Sequence, residues 1–340
     1  MVVSSEDRRV MRRVLLFVRE YPQISETYIR TEIDRIKRRF AVSVVALQPA
    51  NLTYGGHEPF EVMHDHSANA VLELLRRHQP DVIHGHYFSL SAGLCALARA
   101  AGTFFTVRTH SFDVLEPGAL EDAHSIAAVR DPACRGVLCF PFAADRLVRA
   151  GVPAGKIVPC WPVVDIARFR DRGPNGADVM NVGAALPKKA MPIFADLAKA
   201  MPERRFNLYM LGYHADEIEA YARRTGSPMR VVPPVHPLNM PAEYKKHRWM
   251  VYTASKEIGT VGWPLSVAEA QASGVGVLMQ NIRSDIRDYV GPGGYVFDTI
   301  DDARRIISAP FPEDRREAGF LHAENSDVDR HIELLFQLWA

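Results

Sequence analysis

The sequence predicts an α/β protein made of two successive βα units, each a parallel sheet wrapped by helices. Three observations carry this. Short continuous apolar runs alternate with stretches of helical periodicity along the chain. The alternation pauses at residues 161–176, where Pro162, Gly173, Pro174 and Gly176 read as a linker, and then restarts. Further on, residues 249–279 run apolar strand, glycine loop, helix, Ser273-Gly274 stop and second apolar strand, which is a complete βαβ unit.

In chain order, residues 14–18 are the first strand. Ser25 is a good N-cap, with Glu26 in the first turn of a helix whose Ile29, Ile33, Ile36 and Phe40 recur at helical spacing. The opposite face carries Arg30, Arg35, Lys37, Arg38 and Arg39. It reads either as a solvated basic face or as a peripheral contact, over residues 25–39, with anionic lipid or a lipid-linked substrate. Residues 41–47 are a strand, 49–68 a loop and 70–77 a helix. Strands at 80–86 and 103–108 bracket a small-residue helix at 91–101, ended by Gly102. The strands at 136–140 and 156–160, with a helix at 143–150 between them, close the first unit. In the second unit, strands fall at 178–183, 206–212, 229–233 and 249–252. A polar helix is expected at 242–247, with short helices at 283–289 and 301–307. Residues 327–339 are amphipathic, with Ile332, Leu335, Phe336 and Trp339 on one face.

Composition limits the function class. The chain has 340 residues, 47% hydrophobic and 24% charged, which is ordinary globular usage and enough for about two domains. A net charge of +1 gives no electrostatic pull toward nucleic acid, so no nucleic-acid partner is expected. Cys95, Cys134, Cys139 and Cys160 show neither C-x-x-C pairing nor a zinc-type histidine pattern, and read as buried thiols in a reducing compartment. No apolar run reaches the roughly 18–20 residues of a spanning helix. The polar residues 1–7 lack a signal-peptide core, so a cytoplasmic location is expected.

Parallel sheets bind ligands at the carboxyl ends of their strands. His84, His86 and His110 fall at such ends, His110 within the polar cluster Thr109-His110-Ser111-Phe112-Asp113. Gly183 ends a strand, and Lys188 and Lys189 follow at a helix start, where the dipole disfavours cations unless an anion such as a diphosphate lies between. The loop Gly262-Trp263-Pro264-Leu265-Ser266 opens a helix whose free N–H groups suit a phosphate. Glu269 lies inside that helix.

Six segments, in order, resemble family 4 retaining nucleotide-sugar glycosyltransferases of the GT-B fold. Ser25-Glu26-Thr27 with Glu32 is similar to S-E-T-F…E, Asp81 to His86 to D-x-I-H-x-H, and Thr109 to Asp113 to T-x-H-x-x-D. Asp145-Arg146-Leu147 and Gly151 to Ile157 resemble the family's G-V-P-x-x-K-I approach to the linker, Val164 to Phe169 resembles V-D-x-x-R-F, and Glu257 to Gly274 stands where the family has E-G-F-G-L-P-x-x-E-A-M-A-x-G. Two departures stand out. Ala184 replaces the Arg of V-G-R-L-x-x-x-K-G, and an ungapped count puts Val261 at the first Glu, unless Glu257 supplies that carboxylate through a longer loop.

The resemblance implies two Rossmann-like domains facing a cleft: residues 1–168 on the acceptor side, 169–322 on the nucleotide-sugar side, and a C-terminal helix at 323–340 returning to the first domain. It implies transfer of a sugar from a nucleotide-diphosphate sugar to a hydroxyl of a glycan, lipid-linked or small-molecule acceptor, with retention of configuration. His110, Lys189 and Glu257 would be catalytic. Gly183, Lys188, Lys189, Gly262, Trp263, Pro264, Leu265, Ser266 and Glu269 would hold the donor, with Glu269 on the ribose. Ser25, Glu26, His86 and Tyr87 would face the acceptor. The nucleotide sugar is a co-substrate, and neither a cofactor nor a metal is implied, since no D-x-D lies between strands. The alternatives are a GT-B sugar-nucleotide isomerase or hydrolase, and a degenerate glycosyltransferase homologue that only binds.

Overall fold

The computed structural model describes residues 11–51, 53–212 and 214–340. The polar stretch 1–7 lies outside them. Strands β1 (Arg13–Tyr21), β2 (Ala41–Pro49), β3 (Phe60–Val62), β4 (Val82–His86), β5 (Phe105–Arg108), β6 (Cys134–Cys139) and β7 (Ile157–Pro159) form one parallel sheet in the order β3-β2-β1-β4-β5-β6-β7. Strands β8 (Asp178–Ala184), β9 (Phe206–Leu211), β10 (Arg230–Val232), β11 (His247–Tyr252), β12 (Gly276–Gln280) and β13 (Gly294–Phe297) form a second, in the order β10-β9-β8-β11-β12-β13. The strand order of the first sheet reverses between β1 and β4, and that of the second between β8 and β11, which are the topological switch points where such sheets take ligands.

Both faces of each sheet are covered, which is why the strands read as unbroken apolar runs. Leu15 and Phe17 pack on one face with Leu94, Ala98 and Val129, whereas Val14, Leu16 and Val18 pack on the other with Ile29, Ile33, Leu335 and Trp339. The second sheet divides likewise, with Met180, Met250 and Met279 on one face and Val179, Val251 and Leu278 on the other.

The chain crosses between domains twice, side by side. Val164 N–H donates to Ser326 O and Val328 N–H donates to Val164 O, both at 2.9 Å. The helix Val328–Trp339 then packs on the first domain, where fully buried Trp339 donates its indole N–H to Thr106 Oγ1 at 3.0 Å.

This return gives the basic face at 25–39 acidic partners within the fold. Arg35 bridges Asp329 at 2.7 Å and Asp165 at 3.1 Å, tying the helix Thr27–Ile36 to the linker and the last helix. Arg39 pairs with Glu333 at 2.7 Å, Lys37 with Glu58 at 2.5 Å, Arg38 with Asp329 at 3.6 Å and Arg30 with Asp34 at 3.9 Å. Five cations that look unopposed along the sequence are matched by acids, four of which come from distant segments. Among the described residues, no helix is long and apolar enough to cross a membrane.

Local readings shift in three other places. The helix expected to be capped by Ser25 starts at Thr27, with Glu26 at the cap position and its side chain turned to another partner. The loop expected at 49–68 contains β3, an edge strand of three residues too short to show a pattern. The helix Glu313–Ala323, whose charged start hides its apolar side, packs against the helix Leu265–Ala272.

The docked C-terminal helix makes Trp339 a structural anchor. Trp339→Ala should cost about 3–5 kcal/mol, read by urea unfolding, with the loss concentrated in the first domain.

Candidate active site in the interdomain cleft

The carboxyl ends of the two sheets open onto one cleft of about 360 Å³. The first domain contributes residues after β5, β6 and β7, and the second contributes residues after β8, β9 and β11 together with the start of the helix Leu265–Ala272. The walls meet closely. A Cβ on Gly262 would lie 2.6 Å from Ser111 Cβ, so only glycine permits this approach, and Lys188 Nζ reaches Glu116 of the opposite domain at 3.7 Å.

On the second domain, Lys189 lines the cleft with no carboxylate partner among the described residues. Burial, aided by repulsion from Lys188, lowers its pKa to about 8. The backbone holds it in place: Lys189 O accepts from Thr253 Oγ1 at 2.7 Å, and Lys188 O accepts from Ser255 N–H at 2.9 Å. Gly183, at φ 153°, leaves the space the ammonium occupies, since a Cβ there would collide with Lys189 Nζ.

The loop before the helix is clamped from behind. Arg283 Nη1 donates to Val261 O at 2.7 Å and to Gly259 O at 3.0 Å, and the same guanidinium binds Asp285. Trp263 Nε1 donates to Asp285 Oδ2 at 2.8 Å, while its ring stacks on Tyr289 at 4.8 Å. With its carbonyls held by Arg283, this loop leads into a helix N-terminus at the cleft wall, where unpaired N–H groups favour an anion. Glu269, one turn into that helix, accepts from Tyr244 Oη at 2.7 Å through Oε2, and its Oε1 has no hydrogen bond among the described residues. Burial raises the Glu269 pKa, opposed by Tyr244 and by Arg168.

On the first domain, His110 lines the cleft and rests on a buried polar network. Its Nε2 lies 3.2 Å from His86 Nδ1, and its ring packs against Tyr28 and Tyr87 at 4.7 Å from each. Behind it, Arg108 binds Glu32 at 2.6 Å, and His84 bridges Glu32 and Thr106 at 2.8 Å each. Burial lowers the pKa of His86 to about 4 and that of His110 well below the usual value, so both imidazoles are neutral at pH 7. Glu32, His84 and His86 converge as a cation-binding group would, but Arg108 already supplies the positive charge beside Glu32.

The cleft therefore gathers His110, Gly183, Lys188, Lys189, Gly262 through Ser266, Glu269, Ser25 and Glu26 at its walls. His86 and Tyr87 stand one layer back, behind His110 and Glu26. Glu257 requires correction. It is exposed in the turn after β11, bonds Ser255 Oγ at 2.7 Å, and does not line the cleft. The longer loop carries it outward, and Val261 occupies the wall where a carboxylate was expected. Tyr244 and the Arg283–Asp285 clamp escaped the sequence reading, and Arg168, the Arg of the V-D-x-x-R-F segment, had no role in it, because each acts on a residue dozens of positions away or through a backbone carbonyl.

Gly183→Ala tests how the lysine is seated. The added methyl should displace the Lys189 side chain and cost about 1–3 kcal/mol in chemical unfolding, through combined crowding and backbone strain.

No protein-family profile matches the sequence, and no curated protein matches it. Solved structures do match over nearly the whole chain. Anabaena HepE in complex with UDP is 14% identical, covering 96% of this chain and 99% of its own, with a TM-score of 0.77. The sucrose-phosphate synthase of Thermosynechococcus elongatus is 13% identical, covering 96% and 98%, with a TM-score of 0.75. The lipopolysaccharide outer core galactosyltransferase WaaB, in its apo form, is 15% identical, covering 92% and 97%, with a TM-score of 0.60. Two parallel-sheet domains opening on a shared cleft, matching these structures over nearly their whole length, give this chain the GT-B fold.

Proposed function

We propose that the chain is a glycosyltransferase that moves a sugar from a nucleotide-diphosphate sugar to an acceptor hydroxyl, with retention at the anomeric carbon and without a metal. The observation that carries this reading is Lys189, an ammonium with no counter-charge among the described residues, in a cleft also lined by a helix N-terminus. Such a site is electrostatically incomplete without an anion, and a diphosphate fits both its charge and its position.

In this reading the protein supplies placement and charge. Lys189 and Lys188 stabilise the charge that grows on the leaving diphosphate, together with the N–H groups at Leu265 and Ser266. Glu269, oriented by Tyr244, accepts hydrogen bonds from the ribose hydroxyls through Oε1. His110, neutral and held by its aromatic neighbours, faces the donor sugar from the other domain, so the closed cleft brings both substrates into register. Retention fits same-face attack, in which the leaving phosphate takes the acceptor proton. Ligands of the structural neighbours support the donor class: HepE structures hold UDP and UDP-glucose. Glycoconjugate synthesis in the cytoplasm is the setting this activity fits.

Val261 and Ala184 favour one other reading, a protein that binds a nucleotide sugar without turning it over, because two positions expected to be polar present apolar groups to the cleft.

The experiment is titration of the protein with UDP, GDP and their glucose conjugates by calorimetry, followed by mass detection of released or transferred sugar. Lys189→Met should weaken diphosphate binding about 10- to 100-fold. In the wild type, affinity should fall as pH rises through about 8, where the ammonium loses its proton, and the variant should lack that fall. Glu269→Ala should weaken nucleotide binding and leave the fold intact. Tight binding with no sugar released or transferred would replace the transferase reading with the binding one, and absence of binding would end both.

A further inference from the structure

His110 is the first-domain side chain that the donor reading sets against the sugar. Whether it gives or receives a hydrogen bond there depends on where its one proton sits. A neutral imidazole donates through one ring nitrogen and accepts through the other, so its direction is set by whatever holds the far nitrogen. Here that hold is a buried chain, His110 to His86 to Glu32, whose last member has no freedom of its own.

Glu32 comes from the helix Thr27–Ile36 and is fully enclosed. Against the cost of burial, Arg108, His84 and His86 keep its carboxyl well below the usual range, so it is ionised and can only accept. Arg108 Nη2 lies 2.6 Å from Oε2, which leaves Oε1 to the histidines. His84 Nε2 is 2.8 Å from Oε1. His86 Nε2 is 3.5 Å from the same oxygen and makes no hydrogen bond to any other described residue. A bare lone pair at that nitrogen would face a buried negative charge with nothing between them, whereas an N–H there points its positive end at the charge. The single proton of His86, which is neutral at pH 7, therefore belongs on Nε2.

His86 Nδ1 is then an acceptor, and His110 Nε2, 3.2 Å away, must donate to it. The geometry suits a hydrogen bond rather than a face contact. The two ring planes are 16° apart and their centroids 5.4 Å apart, which is nearly the greatest separation that imidazoles with nitrogens so close can have. The contact thus runs in the plane of both rings, along the lone pair. At the other side of His110, the Asp113 N–H faces the His110 side chain in a reciprocal helix cap, while Asp113 Oδ2 accepts the His110 N–H at 2.9 Å. A backbone N–H in that place also favours a lone pair on Nδ1, the ring nitrogen nearer the main chain.

We infer that Glu32 and His86 are positioning residues that fix His110 as its Nε2–H tautomer, so that His110 meets the cleft only as a hydrogen-bond acceptor. This rests on the reading of His110 above and adds a direction to it: the sugar has to present a hydroxyl that donates. With its one N–H committed to His86, His110 has no proton to give the leaving group, and burial disfavours its taking one. Its part is to hold the sugar, which leaves the acceptor proton to the phosphate.

The test is nitrogen-15 NMR of the histidine-labelled protein at pH 7 without ligand, in which each ring nitrogen reports whether it bears a proton. The His110 and His86 signals are identified by their loss in His110→Asn and His86→Phe. In the wild type both rings should carry the proton on Nε2 and none on Nδ1. His86→Phe keeps a ring and removes the accepting nitrogen, so His110 should become a mixture of tautomers. His86→Asn returns an amide oxygen near the place of Nδ1 and should restore the single form, which a merely space-filling role would not do. UDP-glucose should bind His86→Phe about tenfold more weakly than wild type, with UDP affinity unchanged. A proton on Nδ1 of wild-type His110, a mixture of tautomers there, a single Nε2–H form that survives His86→Phe, or UDP-glucose affinity unchanged by that substitution would overturn the inference. The wild-type spectra need neither a ligand nor a folded variant, so they decide it separately from the titrations that decide the donor reading.

Discussion

A buried ammonium group at the cleft wall, with no acidic partner among the described residues, is the constraint on which the rest of the site depends. Lys189 pays a desolvation cost visible in its lowered pKa, and the surroundings keep it from escaping. Its backbone is held by the end of β11, Gly183 leaves room for its side chain, and Lys188 pushes from one side. Unrelieved cost of this kind is characteristic of a binding site rather than of a structural core.

The two walls of the cleft solve different electrostatic problems. The second domain concentrates positive charge in lysines and a helix N-terminus, with Glu269 set apart and oriented by Tyr244. The first domain keeps its wall close to neutral by burying Glu32 against Arg108 and by leaving His86 and His110 uncharged. Close contact at Gly262 and Ser111 aligns the sides without side-chain bulk between them.

The last helix links this arrangement to the rest of the fold. Trp339 donates to Thr106, Thr106 holds His84, and His84 holds Glu32, so the network behind His110 is anchored on the far end of the chain. Arg35 joins the same helix to the linker through Asp329 and Asp165. Of the acids that pair with the basic face of the helix Thr27–Ile36, Asp165, Asp329 and Glu333 are therefore part of the interdomain joint.

By itself the sequence determined the two parallel sheets, the linker, and the strand-end positions of His110, Lys189 and the helix bearing Glu269. These follow from local chemistry: apolar runs make buried strands, glycines mark close approaches, and strand ends hold ligands. The tertiary structure alone decided which charges remain unpaired. Arg35, Arg39 and Lys37 look as free along the chain as Lys189 does, yet their partners arrive from Asp329, Glu333 and Glu58, whereas Lys189 receives none among the described residues. It also decided that Glu257 turns outward, away from the cleft. Pairing and desolvation are properties of distant neighbours, and no local pattern encodes them.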